Sequence, residues 1–227
     1  MKQISPLPPS PFGALTAQHL LDIGAVHLRP DQPFTLTSGR QSPTYVDCRK
    51  VISFPNARTA LMDMAVECLE SAIGWDQIDV LAGGETAGIP FAAFLAQKTG
   101  KPMVYVRKKP KGFGRGSQIE GAFEPGARVV LIEDLATDGG SKMTFVKALR
   151  EAGADCRHTF VLFFYAIIAG ALEALAKENL SLHHLASWHD IIGEVERTGA
   201  LDSAGLSSVR RFLADPTRWS PDAAHIP

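Results

Sequence analysis

An α/β fold, a parallel sheet flanked by helices with a small N-terminal hood, is what the sequence predicts, on three observations. From about residue 57 onward, amphipathic helical stretches alternate with short apolar runs bounded by Gly, Pro or Asp, the order that builds a parallel sheet with helices on its faces. The first fifty residues break that rhythm, with one helical stretch and several short extended pieces, and read as a cap laid on the sheet. Finally, 227 residues that are 45% hydrophobic and 21% charged match an ordinary globular chain with a sizeable core. A single domain over residues 1–227, with about 1–50 as the hood, is the simplest organisation.

The elements follow in order. LTAQHLLDIG (15–24) predicts a helix, and AVHL, FTLTSGR and TYVD predict extended pieces. Asn56 is a candidate cap for a helix whose Leu61, Ala65, Cys68 and Leu69 recur at helical spacing, with Gly74 as its stop. DVLAGG (79–84) reads as a buried strand ending in a glycine turn. GIPFAAFLAQKTG (88–100), with proline early and glycine last, reads as a helix. MVYVRK (103–108) and RVVLIED (128–134) are strands, the second the clearest buried one. SKMTFVKALREAGA (141–154) is a helix with Phe145, Ala148 and Leu149 inward, closed by Gly153, and HTFVLFFY (158–165) is the next strand. Two further helices are expected near 187–198 and 203–214.

Several function classes are excluded. Lys plus Arg total 23 against 24 for Asp plus Glu, so no overall basic field draws in nucleic acid or anionic lipid, and neither is expected as a partner. Cys48, Cys68 and Cys156 form no CxxC pair and suit a reducing compartment. MKQISPLPPSPFG resembles neither a secretion signal nor a transit peptide. The most apolar stretch, Phe160 to Leu172, has 13 residues, whereas a membrane-spanning helix needs about 20. A cytoplasmic location is expected. His183, His184 and His189 sit close together but without zinc spacing, and a structural role is expected of them.

The strongest chemical signal is VVLIEDLATDGGSK (129–142). In an open parallel sheet, ligands bind outside the carboxyl ends of the strands, where helix N-termini point. Thr137, Asp138, Gly139, Gly140 and Ser141 can present backbone N–H groups and two hydroxyls to one phosphate. Glu133 and Asp134 can accept hydrogen bonds from a pair of sugar hydroxyls or hold a hydrated cation. Together they suit a ribose 5-phosphate. The plain alternative, acids ending a strand before an ordinary turn and cap, stays open on these residues alone. The chain has no GxxxxGK[ST] and no GxGxxG.

The 129–142 string resembles the phosphoribosyl-diphosphate signature of the type I phosphoribosyltransferases. FTLTSGRQSPTYVDCRK (34–50), GGETAGIPFAA (83–93) and VRKKPKGFGRGSQIEG (106–121) precede it in the order and spacing of the orotate-specific branch, a likeness covering most of residues 20–165. The resemblance implies transfer of phosphoribosyl from 5-phosphoribosyl 1-diphosphate to orotate, giving orotidine 5′-phosphate and diphosphate in de novo pyrimidine synthesis. It implies Mg2+ bound through the substrate and not directly by protein, and a homodimer. It places Arg107, Lys108 and Lys111 on the diphosphate as catalytic cations, Lys111 reaching into the neighbouring subunit. Thr86 and Ala87 fall in the diphosphate loop, and Glu133, Asp134 and residues 137–141 on the phosphoribosyl group. Tyr45, Val46, Thr137 and Arg40, with Ser38 and Gly39 nearby, fall on the orotate side.

Read without the resemblance, these motifs keep simpler alternatives. Arg107, Lys108, Lys109, Lys111 and Arg115, interleaved with Gly112, Gly114 and Gly116, make either a mobile basic lid or a solvated hairpin tip. GGETAGIP is otherwise a strand-to-helix connection, and Tyr45 otherwise core. The chain also departs from the family pattern: Thr37, Ala87 and Phe113 stand where many members have Lys, Lys and His, and Tyr165–Ala166 stands where Asp-Arg is common. Arg40, Arg49, Lys50 or backbone donors would then have to face the orotate carboxylate. The alternatives are a phosphoribosyltransferase for another nucleobase and a non-catalytic regulator that binds phosphoribosyl diphosphate.

Overall fold

The computed structural model describes residues 10–36, 39–110, 118–137 and 139–220, with Ser141 described in its backbone only. Thr37, Ser38, Lys111, Phe113, Arg115, Asp138 and the Ser141 side chain, all singled out above, lie outside that description. The hood begins with α1 (Gly13–Asp22) and continues through β1 (Val26–Leu28), β2 (Phe34–Thr35), β3 (Gln41–Ser42) and β4 (Thr44–Val46). The strands pair antiparallel as β1 with β4 and β2 with β3. A 3₁₀ turn over Cys48–Ser53 leads into α2 (Pro55–Ala72). Asn56 does not cap it: Pro55 occupies the first turn, where a missing N–H costs nothing, and Asn56 lies inside. Leu61, Ala65, Cys68 and Leu69 are buried as their spacing predicts, and Gly74, at φ 89°, ends the helix by donating to the Leu69 carbonyl at 3.1 Å.

The remaining elements are β5 (Val80–Gly84), α3 (Gly88–Thr99), β6 (Met103–Val106), β7 (Ile119–Glu120), β8 (Arg128–Ala136), α4 (Gly140–Glu151), β9 (Asp155–Phe164), α5 (Ala171–Lys177), β10 (Ser181–Ser187), α6 (Trp188–Thr198) and α7 (Ser203–Ala214). Six of the strands form one sheet in the order β10-β9-β8-β5-β6-β7. All neighbours in it run parallel except the short β7, which turns back antiparallel on β6. Alternation along β8 divides the apolar residues between the two faces. Val130 and Ile132 join a core with Leu61, Phe91, Leu95 and Ile191 from α2, α3 and α6, whereas Val129 and Leu131 join another with Phe145, Val146 and Leu149 of α4. Among the described residues no helix is long and apolar enough to cross a membrane.

Two differences from the sequence reading bear on function. β8 does not stop at Asp134, because Leu135 and Ala136 still pair with Phe163 and Phe164 of β9. Both acids therefore sit inside the strand. The second difference is β10, which the sequence reading missed where it noticed only histidines. Its SLHHLAS lacks both a continuous apolar run and clean alternation, because it is a sheet-edge strand on β9.

That edge explains two of the three histidines. The His183 Nε2 lies 3.0 Å from the His158 Nδ1, so one neutral ring donates and the other accepts. The His184 ring packs edge-on against Phe164, and His189 is exposed on α6. Burial pushes His183 down to about 4 and lowers His158 as well. Both rings stay neutral in the fold while the unfolded chain takes up protons near pH 6.5. Their contribution to stability is therefore complete above the unfolded value and is lost as pH falls toward the folded ones. The urea midpoint is expected to drop between about pH 7.5 and about pH 5, and less so in His183→Gln; equal drops in the two proteins would remove this account.

Candidate active site

β5 and β8, side by side at the centre of the sheet, deliver their carboxyl ends to one place. β5 closes with Gly83 and Gly84, and α3 opens at Gly88. A Cβ on Gly84 would overlap the Glu133 carboxylate, and one on Gly88 would overlap the Ile132 carbonyl. Two glycines of GGETAGIP are thus demanded by close approach to β8, beyond any need for a turn. The Glu85–Thr86 peptide is cis. The Glu85 carboxylate accepts the Lys108 backbone N–H at 2.7 Å, and the Glu85 N–H donates to the Val106 carbonyl at 2.9 Å. The loop after β5 is thereby fastened to the chain leaving β6.

Glu133 and Asp134 are 8% and 7% exposed, and neighbouring strand residues alternate in direction. Glu133 faces Gly84, Phe145 and Lys142. Asp134 faces the hood, with Arg49 Nε 3.6 Å from its Oδ2. Both line a cleft of about 430 Å³ with Arg49, Glu85, Thr86, Ala87, Lys108 and Lys142. Burial pushes the Glu133 carboxyl up to about 7, opposed chiefly by the Lys142 charge. Its Oε1 is buried against Gly84 and Gly88 with no hydrogen-bond partner among the described residues. Gly139, at φ 82°, forms the N-cap of α4, and a Cβ there would run into Leu175. Thr137 is exposed at the end of β8, as is Gly140 at the start of α4.

The basic segment stands on a paired base, since Val106 faces Ile119 and Tyr105 faces Glu120 across β6 and β7. Arg107 donates its backbone N–H to the Gln118 carbonyl at 2.8 Å, and its Nη1 lies 3.6 Å from Glu120 Oε1. Arg107 therefore sits at the foot of the hairpin, outside the cleft that Lys108 lines. In the hood, Tyr45 is 43% exposed, its ring tilted against Phe34 and His27 at 5.7 and 6.0 Å. It is not core. The Val46 side chain is core, at 2% exposed, and its backbone hydrogen-bonds the Tyr165 hydroxyl. Arg40 is exposed and does not line the cleft. Tyr165 packs edge-on against Phe163 and Trp188 and lies close to Tyr45, Cys48 and Asp134.

The structure thus brings Thr86, Ala87, Lys108, Glu133 and Asp134 into one cleft and leaves Arg40, Arg107 and Tyr45 off its wall. Sequence reading missed Glu85 and Lys142. The signal for Lys142 was available: it lies three, four and seven residues before Phe145, Val146 and Leu149, on the buried face of α4.

An open parallel sheet with two acids near the end of a central strand and a glycine turn opening the next helix defines the phosphoribosyltransferase class, and residues 52–196 match the phosphoribosyl transferase domain family. A protein of Cereibacter sphaeroides named orotate phosphoribosyltransferase is 53% identical over 213 residues, 93% of this chain and 91% of that one. The crystal structure of orotate phosphoribosyltransferase from Aeropyrum pernix superposes with a TM-score of 0.66 at 32% identity, over 81% of this chain and 99% of that one. The Mycobacterium tuberculosis orotate phosphoribosyltransferase in complex with 5-phospho-alpha-D-ribosyl 1-diphosphate gives a TM-score of 0.62 at 27% identity, over 80% and 99%. The chain belongs to the orotate phosphoribosyltransferase family, a family of pentosyltransferases.

Proposed function

We propose that the cleft transfers phosphoribosyl from 5-phosphoribosyl 1-diphosphate to orotate, releasing diphosphate and orotidine 5′-phosphate for pyrimidine synthesis. The single observation carrying this reading is the meeting of Glu133 and Asp134 in one cleft with the start of α4. The acids receive the ribose hydroxyls, while residues 137–141 and the helix dipole receive the 5-phosphate. Thr86 and Ala87, which line the same cleft, hold the diphosphate with Lys108. Arg107 and Lys111 complete the charge from the hairpin. With Mg2+ bound through the substrate, Glu133 and Asp134 would be the oxygen donors available to its hydration shell. When bound, that cation supplies neutralisation of the departing charge.

No protein nucleophile is needed, since a ring nitrogen of orotate attacks the anomeric carbon as diphosphate leaves. The chain's share is to hold both substrates in line, worth up to about 7 to 11 kcal/mol in favourable cases, and to exclude water. Tyr45 offers an exposed ring for stacking on the pyrimidine, and such stacking is worth about 1 to 3 kcal/mol in single-strand nucleic-acid binders. Of the cations that could face the acceptor carboxylate, Lys50 is engaged with the Gly24 carbonyl at 2.9 Å and Arg40 lies off the cleft wall. Arg49, lining the cleft at Asp134, is the one best placed. Residues 1–227 act as one unit with 1–50 as the hood, paired with a second copy so that Lys111 serves the neighbouring site, in the cytoplasm.

The test is an assay of the purified protein with Mg2+, phosphoribosyl diphosphate and each nucleobase in turn. Orotidine 5′-phosphate formed from orotate is the expected product. Turnover of another base alone, or binding without turnover, contradicts the reading.

A further inference from the structure

We propose that Lys142 is a positioning residue for the ribose end of the cleft: from the buried first turn of α4 it fixes the Glu133 carboxylate and the end of β8 in the arrangement that receives the sugar hydroxyls. A lysine 3% exposed is costly to bury unless its charge is used. Its Nζ donates to the Leu135 carbonyl at 2.5 Å and stands 3.8 Å from Glu133 Oε2. One ammonium thus clamps both the carboxylate and the backbone two residues beyond it, tying the end of β8 to the helix whose N-terminus would receive the phosphate. The contact uses Oε2, while Oε1 remains buried and unpartnered, turned toward Gly84.

Other charges face Glu133 from every side of the cleft: Asp134 on its own strand, Arg49 from the 3₁₀ turn, and Lys108 and Glu85 from the loops after β6 and β5. Of these, Arg49 and Lys108 act more weakly than Lys142 on a carboxyl whose burial favours its protonated form. Removing Lys142 would leave the buried Glu133 carboxylate without its close cation and would free the Leu135 peptide from the helix.

The inference rests on the ribose reading of Glu133, and the experiment separates the two. Steady-state kinetics with Mg2+, phosphoribosyl diphosphate and orotate are compared over pH for wild type, Lys142→Met, Lys142→Arg and Glu133→Gln. For Lys142→Met, the KM for phosphoribosyl diphosphate is expected to rise about tenfold near neutral pH, and the acid limb of kcat/KM to move up by about one pH unit, the free-energy equivalent of that factor. Saturated kcat and the KM for orotate should change far less, and Lys142→Arg should restore the acid limb. In a Glu133→Gln background, Lys142→Met should add nothing to the KM. A folded Lys142→Met protein with an unmoved acid limb and KM overturns the inference. If that variant does not fold, a Lys142→Arg protein whose acid limb moves up by a full pH unit despite its retained charge also overturns it. Should Glu133→Gln itself leave the KM unchanged, the ribose reading fails and the Lys142 inference with it. A raised KM in Glu133→Gln beside an unaffected Lys142→Met condemns the Lys142 inference alone.

Discussion

Lys111→Ala is expected to lose about 100-fold or more in kcat while keeping its unfolding midpoint, a loss of the size seen when one transition-state donor is removed from a preorganised site. Diphosphate departure concentrates several negative charges on one group. Among the described residues Lys108 lines the cleft near the diphosphate loop, and Arg107 is held at the foot of the hairpin near Glu120. The paired legs Val106–Ile119 and Tyr105–Glu120 hold the base of this basic segment in place. A cation that meets the departing charge in the transition state lowers kcat when removed more than it lowers substrate capture. Activity within a few-fold of wild type, measured at saturating substrates, would assign the charges to solubility instead.

The second large effect is expected at Asp134. Asp134→Asn keeps the shape and removes the charge, and a hydrogen bond to a charged group contributes about 1.5 to 3 kcal/mol, so affinity for phosphoribosyl diphosphate should weaken about 10- to 100-fold. Arg49, at 3.6 Å from the carboxylate and 65% exposed, would lose an ion pair of little value in itself, so stability should hardly move. Titration calorimetry that finds unchanged affinity would take the ribose hydroxyls away from this side chain.

Most of the sheet was legible because its strands are buried on both faces and so read as unbroken apolar runs, as in VVLI before Glu133. The glycine turns marked where those runs end. The parts that escaped have local causes. β10 carries His183 and His184 at the sheet edge, where a partner histidine on β9, 25 residues earlier, satisfies the ring; no short window contains both. The two acids read as strand-end residues because charge after an apolar run looks like a boundary, whereas pairing with β9 continues through Ala136. Val46 read as a ligand face although its side chain belongs to the core, since strand parity in a three-residue strand is fixed only by its partner β1. Lys142 was overlooked because a lysine in a first helical turn is ordinarily solvated, and only its phase relative to Phe145 and Val146 marks it as buried.

A crystal structure with phosphoribosyl diphosphate bound tests most directly whether Val129 to Lys142 cradles a phosphorylated pentose. The account predicts the 5-phosphate among the amides of residues 137–141 and the ribose hydroxyls within hydrogen-bond distance of Glu133 and Asp134. A sugar seated elsewhere, or one that leaves both carboxylates untouched, would contradict it.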